Sequence, residues 1–330
     1  MDLQPRAAGA PAPSWMVWAA LWVIYIVWGS TYLAIRVTVE TLPPFLSAGS
    51  RFLVAGVIVF AFLAARKGLA AIRLTGREVA ASALVGAALL FGGNGLVSLA
   101  EQEVSSSLAA LIIASVPLWV VLLRTLTGEK VSRGTLVGVA IGFAGVAMLV
   151  LPGSGSDGAG LAGVLTLVVA SASWASGSFF SSRLPLPRNP FVSTAAQMVL
   201  GGLILLVAGA VSGEMSGLDA SEFSGASIGA FAYLVTVGSL FAFTAYVWLL
   251  QNAPISKVAT YAYVNPVIAI FLGWLILSES ITTTILIGAA VIVSSVAFIV
   301  SKESAPARPD ADEADAPAEA ALAGASSSRG

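Results

Sequence analysis

Lys257, Tyr261 and Asn265 recur every four residues. In a helix that spacing places an ammonium, a phenol and a carboxamide on one face. Asn94, Ser98 and Glu101 form a second such stripe, and Thr244, Trp248 and Gln251 a third. Each stripe lies in a strongly apolar stretch, so its polar groups must find partners inside the protein or line a wet path. The chemistry on offer is hydrogen bonding and charge recognition of a small zwitterionic or amphipathic solute. The bland alternative is hydrogen bonding between helices, worth about 0.6–2 kcal/mol per contact in a membrane. Covalent chemistry is poorly provided for. The chain has no cysteine and no histidine, so neither Ser–His nor Cys–His pairs can form, and a metal site would need carboxylates alone. No apolar span holds an aspartate, and no G-x-x-x-x-G-K-[ST] segment is present to cradle ATP phosphates. The expectation is no catalytic group, no metal and no cofactor.

The elements that must carry these stripes are membrane helices. Of 330 residues, 58% are hydrophobic and 10% charged, against roughly 25% charged in a soluble domain. Windows of about 20 apolar residues cross a hydrocarbon core. Ten occur here: 16–36, 45–65, 79–100, 104–126, 134–151, 161–182, 191–212, 227–250, 255–277 and 284–301. The first is too long for a signal-peptide core and lacks a small-residue cleavage pattern. The predicted fold is an all-α integral membrane protein of ten transmembrane helices. Residues 1–14 and 303–330 have the composition of disordered ends, and 152–160 reads as an outer linker.

Loop charge predicts orientation, because cytoplasmic loops carry excess Lys and Arg. Arg66, Lys67, Arg73, Arg77, Arg124, Lys130, Arg133, Arg183, Arg188 and Lys257 fall on one side. Only Arg36 falls on the other, beside Glu40, Glu101, Glu103, Asp157, Glu214, Asp219, Glu222 and Glu279. Both termini are therefore expected in the cytoplasm, in a multi-pass inner (plasma) membrane protein.

The chain also repeats itself. Set against 241–300, residues 91–150 match Phe91 to Phe241, Ala109 to Ala259, Leu122 to Leu272 and Glu129 to Glu279. Trp28 meets Trp174 nearer the start. The polar pairs are Asn94 with Thr244, Glu101 with Gln251, Ser107 with Lys257, and Ser115 with Asn265. Each half, 15–151 and 161–302, holds five spans, so the second enters the membrane inverted. Pro117 and Pro266 interrupt the fourth and ninth spans near their middles. Broken spans in matching positions point to a midplane site between inverted repeats. The alternative is a packing kink in which Asn265 caps a freed carbonyl.

Arg51 lies two turns into the second span, where an unpaired charge costs about 2.5–3.5 kcal/mol on insertion scales. Glu101 or Glu103 is the expected partner, making Arg51 an outer-gate or structural anchor; its repeat counterpart is Gln197. Trp28 and Trp174 are assigned to core packing or to the cavity lining. Gly134, Gly138, Gly142 and Gly145 form a close-packing face, compatible with a homodimer contact.

Three segments carry a family resemblance: "WGSTYLAIRVTVETLPPFLSAGSRFLVAG" (28–56), "GNGLVSLAEQEVSSSLAALIIASVPLW" (93–119) and "YAYVNPVIAIFLGWLILSE" (261–279). They resemble EamA-type members of the drug/metabolite transporter superfamily, in its YedA/PecM-like branch. The resemblance covers about residues 15–301. It implies two inverted five-helix EamA repeats, alternating access, and export of metabolites, amino acids or toxic compounds, with no particular substrate. The combined expectation is a secondary transporter with a substrate-binding set of Asn94, Ser115, Thr244, Tyr261, Asn265, Trp28 and Trp174. Arg51, Glu101 and Lys257 would gate or pair charge, and Pro117 and Pro266 would supply kinks. Its partners would be a small-molecule substrate and the lipid bilayer, not nucleic acid. The alternative from another class is a non-transporting membrane sensor or assembly scaffold.

Overall fold

The computed structural model describes residues 13–150, 160–216 and 218–303. The expected disordered ends and almost all of the expected outer linker lie outside the described residues. The first half comprises α1 (Ser14–Thr38), α2 (Pro44–Lys67), α3 (Gly76–Ala100), α4 (Ser106–Leu126) and α5 (Arg133–Val150). The second comprises α6 (Leu161–Ser181), α7 (Pro190–Val211), α8 (Gly225–Leu249), α9 (Tyr261–Leu277) and α10 (Thr283–Lys302). Among the described residues nine of these are long and apolar enough to cross a membrane, and α9 is a shorter apolar helix. Large apolar side chains such as Phe62, Val207, Phe271 and Ile276 stand exposed around the bundle, where hydrocarbon is the solvent that suits them.

Local chemistry sets the helix ends. The Thr75 hydroxyl accepts from the Glu78 N–H at 3.3 Å while Glu78 accepts from the Thr75 N–H at 2.8 Å, a capping box that starts α3. Ser105 caps α4, Asn189 with Pro190 starts α7, and Ser224 caps α8. After α4 and α9 the backbone turns through a left-handed residue, Gly128 (φ 84°) and Ser278 (φ 54°). These are repeat counterparts, and each immediately precedes a matched glutamate, Glu129 and Glu279.

The packing follows the repeat. Helices α2 and α7 cross backbone to backbone: a Cβ on Gly202 would lie 2.8 Å from the Leu53 nitrogen and 2.9 Å from the Gly49 oxygen. Helix α5 packs on α10, α1 on α9 and α8, and α6 on α4 and α3. Each contact maps onto itself or onto another when the halves are exchanged. The glycine face of α5 is used inside the chain rather than left for a second subunit. A Cβ on Gly138 would meet Phe298 and Ile299, one on Gly142 Leu118 and Ser295, and one on Gly145 Val291 and Ile292. Gly134 has no such neighbour.

The broken spans differ from expectation in one half. Helix α4 is interrupted at Ala114–Ser115 and resumes at Val116, with Pro117 opening the second segment. In the ninth span the break falls at Ala259–Thr260, between the single turn Ile255–Val258 and α9, and Pro266 lies inside a continuous helix. A proline disturbs the turn on its N-terminal side, where its ring meets the carbonyl of residue i−4. For Pro266 that carbonyl belongs to Ala262, in the first turn of α9, so the chain yields upstream.

Candidate functional site

Between the two halves lies a cavity of about 420 Å³, within the range of small-molecule sites. Eight helices line it, four from each half, and α5 and α10 take no part. Trp28 and Tyr32 face it from α1, Arg51 from α2, Asn94 from α3 and Pro117 from α4. Trp174, Gln197, Ser239 and Tyr246 come from α6, α7 and α8, with Tyr261, Asn265 and Pro266 from α9. Lining residues toward the acidic end, Ile35, Val97 and Ala110, are buried. Those toward the basic end, Ser178, Thr194, Tyr246 and Tyr261, are partly exposed.

One wall is aromatic. Trp28 contacts Tyr246 at 5.1 Å and Tyr261 at 5.2 Å between ring centroids, and the two tyrosines stand 6.0 Å apart, nearly perpendicular. Such edge-on and tilted pairs suit the ring quadrupoles. Trp174 packs on the backbone of α3, where a Cβ on Gly93 would lie 2.5 Å from its ring. The opposite feature is Arg51, 5% exposed, whose Nε donates to the Ser239 hydroxyl at 2.9 Å and whose Cζ lies 4.7 Å from the centre of the Phe52 ring. The Oδ1 atoms of Asn94 and Asn265 face this cavity and accept no hydrogen bond from the protein among the described residues, which leaves both available to a solute or water.

Sequence matching missed two features of this wall. Ala87–Gly95 in α3 and Leu234–Phe241 in α8 are π-helical, and both contribute lining residues. Wide turns of this kind recur at functional sites. The run Gly92, Gly93, Gly95 was the available signal. Tyr32 follows Trp28 by four residues in the aromatic series of the first span, and Ser239, Phe243 and Tyr246 share a helical spacing, but neither spacing was assigned to the site; Thr194 and Met198 carry no such mark.

The structure brings Trp28, Trp174, Arg51, Asn94, Tyr261 and Asn265 together with both prolines, and leaves four expected residues apart. Ser115 is fully buried off the cavity and donates to the Ile112 carbonyl at 2.6 Å. Thr244 is exposed on the outside of α8 and donates to the Leu240 carbonyl at 2.7 Å. Lys257 is exposed, its Nζ 5.1 Å from the Trp18 ring centre; the break at Ala259–Thr260 removes it from the face that Tyr261 and Asn265 share. Glu101 is wholly buried below the cavity floor. Neither Glu101 nor Glu103 forms an ion pair with Arg51 among the described residues; Glu101 lies at the end of α3, beside Arg36 of α1 and Glu279 of the α9–α10 turn.

That acidic end is closed by a clamp. The Glu279 carboxylate accepts from the Ser106 N–H and hydroxyl, each at 2.8 Å, and from the Ser107 N–H at 3.0 Å. The Ser107 hydroxyl also bonds to it. A carboxylate at a helix N-terminus satisfies donors that have no partner within the helix. The repeat counterpart, Glu129, sits instead at the basic end against Arg124 at 2.8 Å and Arg183; the Arg124 hydrogen bond holds its carboxyl below the usual value.

Beneath the clamp, neither carboxylate oxygen of Glu101 has a hydrogen-bond partner. Arg36 donates to its backbone carbonyl rather than to its side chain. Burial, and then the nearby Glu279 charge, push the Glu101 carboxyl well above the ordinary carboxylate value, against the opposing pull of Arg36. A carboxyl in this closed end therefore holds its proton more tightly than one exposed to water. Any opening that wets Glu101 is then opposed by protons from the ordinary value near about 4 up to the raised one, and within that window the closed-to-open ratio is expected to fall about tenfold per pH unit as pH rises. Glu101→Gln is expected to abolish that pH dependence, read as the rate at which a cysteine on the floor is modified from the acidic side. A pH slope unchanged by the substitution assigns the titration to another group.

Comparisons with known proteins agree with this architecture. The EamA-like transporter family matches residues 14–151 and 161–301, one copy per half. The chain is 38% identical over 296 residues to the uncharacterized inner membrane transporter YedA of Escherichia coli, covering 89% of this chain and 94% of that protein. It is 27% identical to a chloroplastic WAT1-related protein of Arabidopsis thaliana, over 84% of this chain and 68% of that one. A solved crystal structure superposes with a TM-score of 0.60 at 20% identity, covering 87% of this chain and 97% of the other, which establishes the shared fold. The family match over both halves and the 38% identity along most of the chain make this protein a member of the EamA-like transporter family.

Proposed function

We propose that this transporter exports a small amphipathic metabolite from the cytoplasm across the inner membrane by alternating access. The observation that carries the reading is the cavity itself: four helices of each half enclose it, and it presents unpartnered polar groups beside an aromatic wall. The name of the Escherichia coli relative supports the inner membrane, and the excess of Lys and Arg supports the basic end as cytoplasmic. In that orientation the solute enters past Thr194 and Ser178, rests between Arg51, Asn94, Asn265 and the Trp28–Tyr246–Tyr261 wall, and is held from the outer side by the Glu279 clamp.

Exchange of the two repeats' conformations describes the other state. Offset by 150 residues, Ser106 and Ser107 correspond to Ser256 and Lys257 at the start of the ninth span. Glu129 leaves Arg124 and Arg183 and takes the position at that N-terminus which Glu279 holds at the other. Glu279 is then released, the outer end opens and the solute leaves.

The absence of cysteine makes the test direct. Single cysteines at Asn94 and Asn265 are expected to react with a membrane-impermeant thiol reagent from the cytoplasmic side, and Ser115→Cys, buried off the cavity, is the unreactive control. Transported solutes slow the reaction at 94 and 265. Equal labelling at all three positions, or no protection by any solute that the reconstituted protein moves, removes the cavity from the transport path.

A further inference from the structure

Arg51 is the sole charged residue that lines the cavity among the described residues. It is 5% exposed, and its recorded hydrogen bond is the one from Nε to the Ser239 hydroxyl, a neutral acceptor. No ion pair neutralises it among the described residues. The two η nitrogens therefore remain to serve something else; Nη2 lies close against the Gly238 backbone, where an added Cβ would stand 3.4 Å from it and 3.3 Å from the Thr31 methyl. A guanidinium in a low-dielectric interior is costly unless a counter-charge meets it, and its fork of N–H groups matches a carboxylate.

We infer that the cavity selects small organic monoanions, a carboxylate on Arg51 and a flat apolar body against Trp28, Tyr246 and Tyr261. The inference rests on the reading of this cavity as the solute site. Three observations converge on it. The positive charge is buried and unpaired. No carboxylate among the lining residues competes for it, so an organic cation entering the site meets repulsion and no counter-charge. The aromatic rings form a separate wall of the same cavity, suited to stacking a planar body rather than to binding a second charge. Gln197, the residue at the equivalent repeat position, also lines the cavity but is neutral, so the site carries a single positive charge and one polar end. Arg51 is thus a specificity-determining residue, and not the outer-gate anchor its sequence position suggests.

Equilibrium binding to the purified full chain in nanodiscs tests this, using matched trios of one skeleton: benzoate, benzamide and benzylamine, and 1-naphthoate, 1-naphthamide and 1-naphthylmethylamine. The carboxylate of at least one trio is expected to bind ten times more tightly than its amide, and the amine not at all. Arg51→Gln is expected to abolish that preference and Arg51→Lys to retain a weakened part of it, each with an unfolding temperature recorded alongside. If Arg51→Gln does not fold, the wild-type trio comparison decides the matter alone. Amide and carboxylate bound equally, or no carboxylate bound above its amide in either trio, overturns the inference. Asn265→Trp, which fills the cavity, separates the two readings. Anion binding that survives it locates the anion elsewhere and removes the cavity as the solute site, whereas loss of binding keeps the carboxylate in the cavity whether or not flux is observed.

Discussion

Glu279→Ala is expected to open the acidic end. The substitution removes a carboxylate that accepts from two backbone N–H groups and two hydroxyls at the start of α4. Hydrogen bonds to a charged acceptor are worth about 1.5–3 kcal/mol apiece. Water replaces much of that once the end opens, leaving a net shift of about 2–3 kcal/mol, or roughly 30- to 150-fold in the balance of states. A cysteine placed at Ala110, 1% exposed on the cavity floor, reports it through faster modification from the acidic side. Glu279→Gln keeps one acceptor oxygen and falls between wild type and alanine. On the proposed cycle the mirror substitution Glu129→Ala is expected to leave the basic end of the cavity accessible and to slow export, because it removes the carboxylate assigned to closing that end. Unchanged modification at position 110 in Glu279→Ala means that apolar packing around Val97, Ala100 and Val104, and not the clamp, holds that end shut.

The second large effect concerns stability. Gly202→Leu is expected to prevent assembly of the α2–α7 contact, and Gly202→Ala to destabilise it by about 1–3 kcal/mol. The reason is that the obstacle is backbone: the added Cβ meets the Leu53 nitrogen and the Gly49 oxygen, neither of which can rotate away as a side chain does. Gly49 faces the same difficulty from the other helix, 2.9 Å from the Gly202 oxygen. Gly229→Ala, with nothing within 4 Å of its built Cβ, is the control for helix propensity alone. Unfolding temperature in a fixed detergent separates them. An alanine at 202 that unfolds with the wild type indicates helices able to slide apart without loss.

The fold was legible because its signals are long and additive. Ten apolar windows, the loop charges and the matched Glu129 and Glu279 each draw on many residues, and a single misread residue changes none of them. The site was only half legible, for a specific reason. Sequence symmetry pairs Asn94 with Thr244 and Ser115 with Asn265, but one member of each pair faces the cavity and the other does not. A cavity closed at one end is an asymmetric state of a symmetric plan, and periodicity carries no information about which state is occupied. Where the counterparts lie deep, as with Trp28 and Trp174 or Arg51 and Gln197, both line the cavity. Lys257 was misplaced because the four-residue stripe presumed an unbroken helix across Ala259–Thr260. The proline rule locates a disturbance but leaves open how far upstream the chain gives way.

On the proposed alternating-access cycle, Arg51, the one charged lining residue among the described residues, would make the transporter an electrical machine. Reorientation moves access to Arg51 from one aqueous phase to the other, so its charge crosses part of the membrane field, worth about 2.3 kcal/mol per 100 mV for a full crossing. Empty, the site is positive, and an interior-negative potential draws it toward the cytoplasm. Loaded with a monoanion it is neutral and turns outward without electrical work. Each cycle then exports one negative charge, and a potential of 100 mV alone sustains a gradient of roughly 50-fold. On that scheme no coupling ion is required. A transient current from the empty protein after a voltage step, absent in Arg51→Gln, is the signature of that motor.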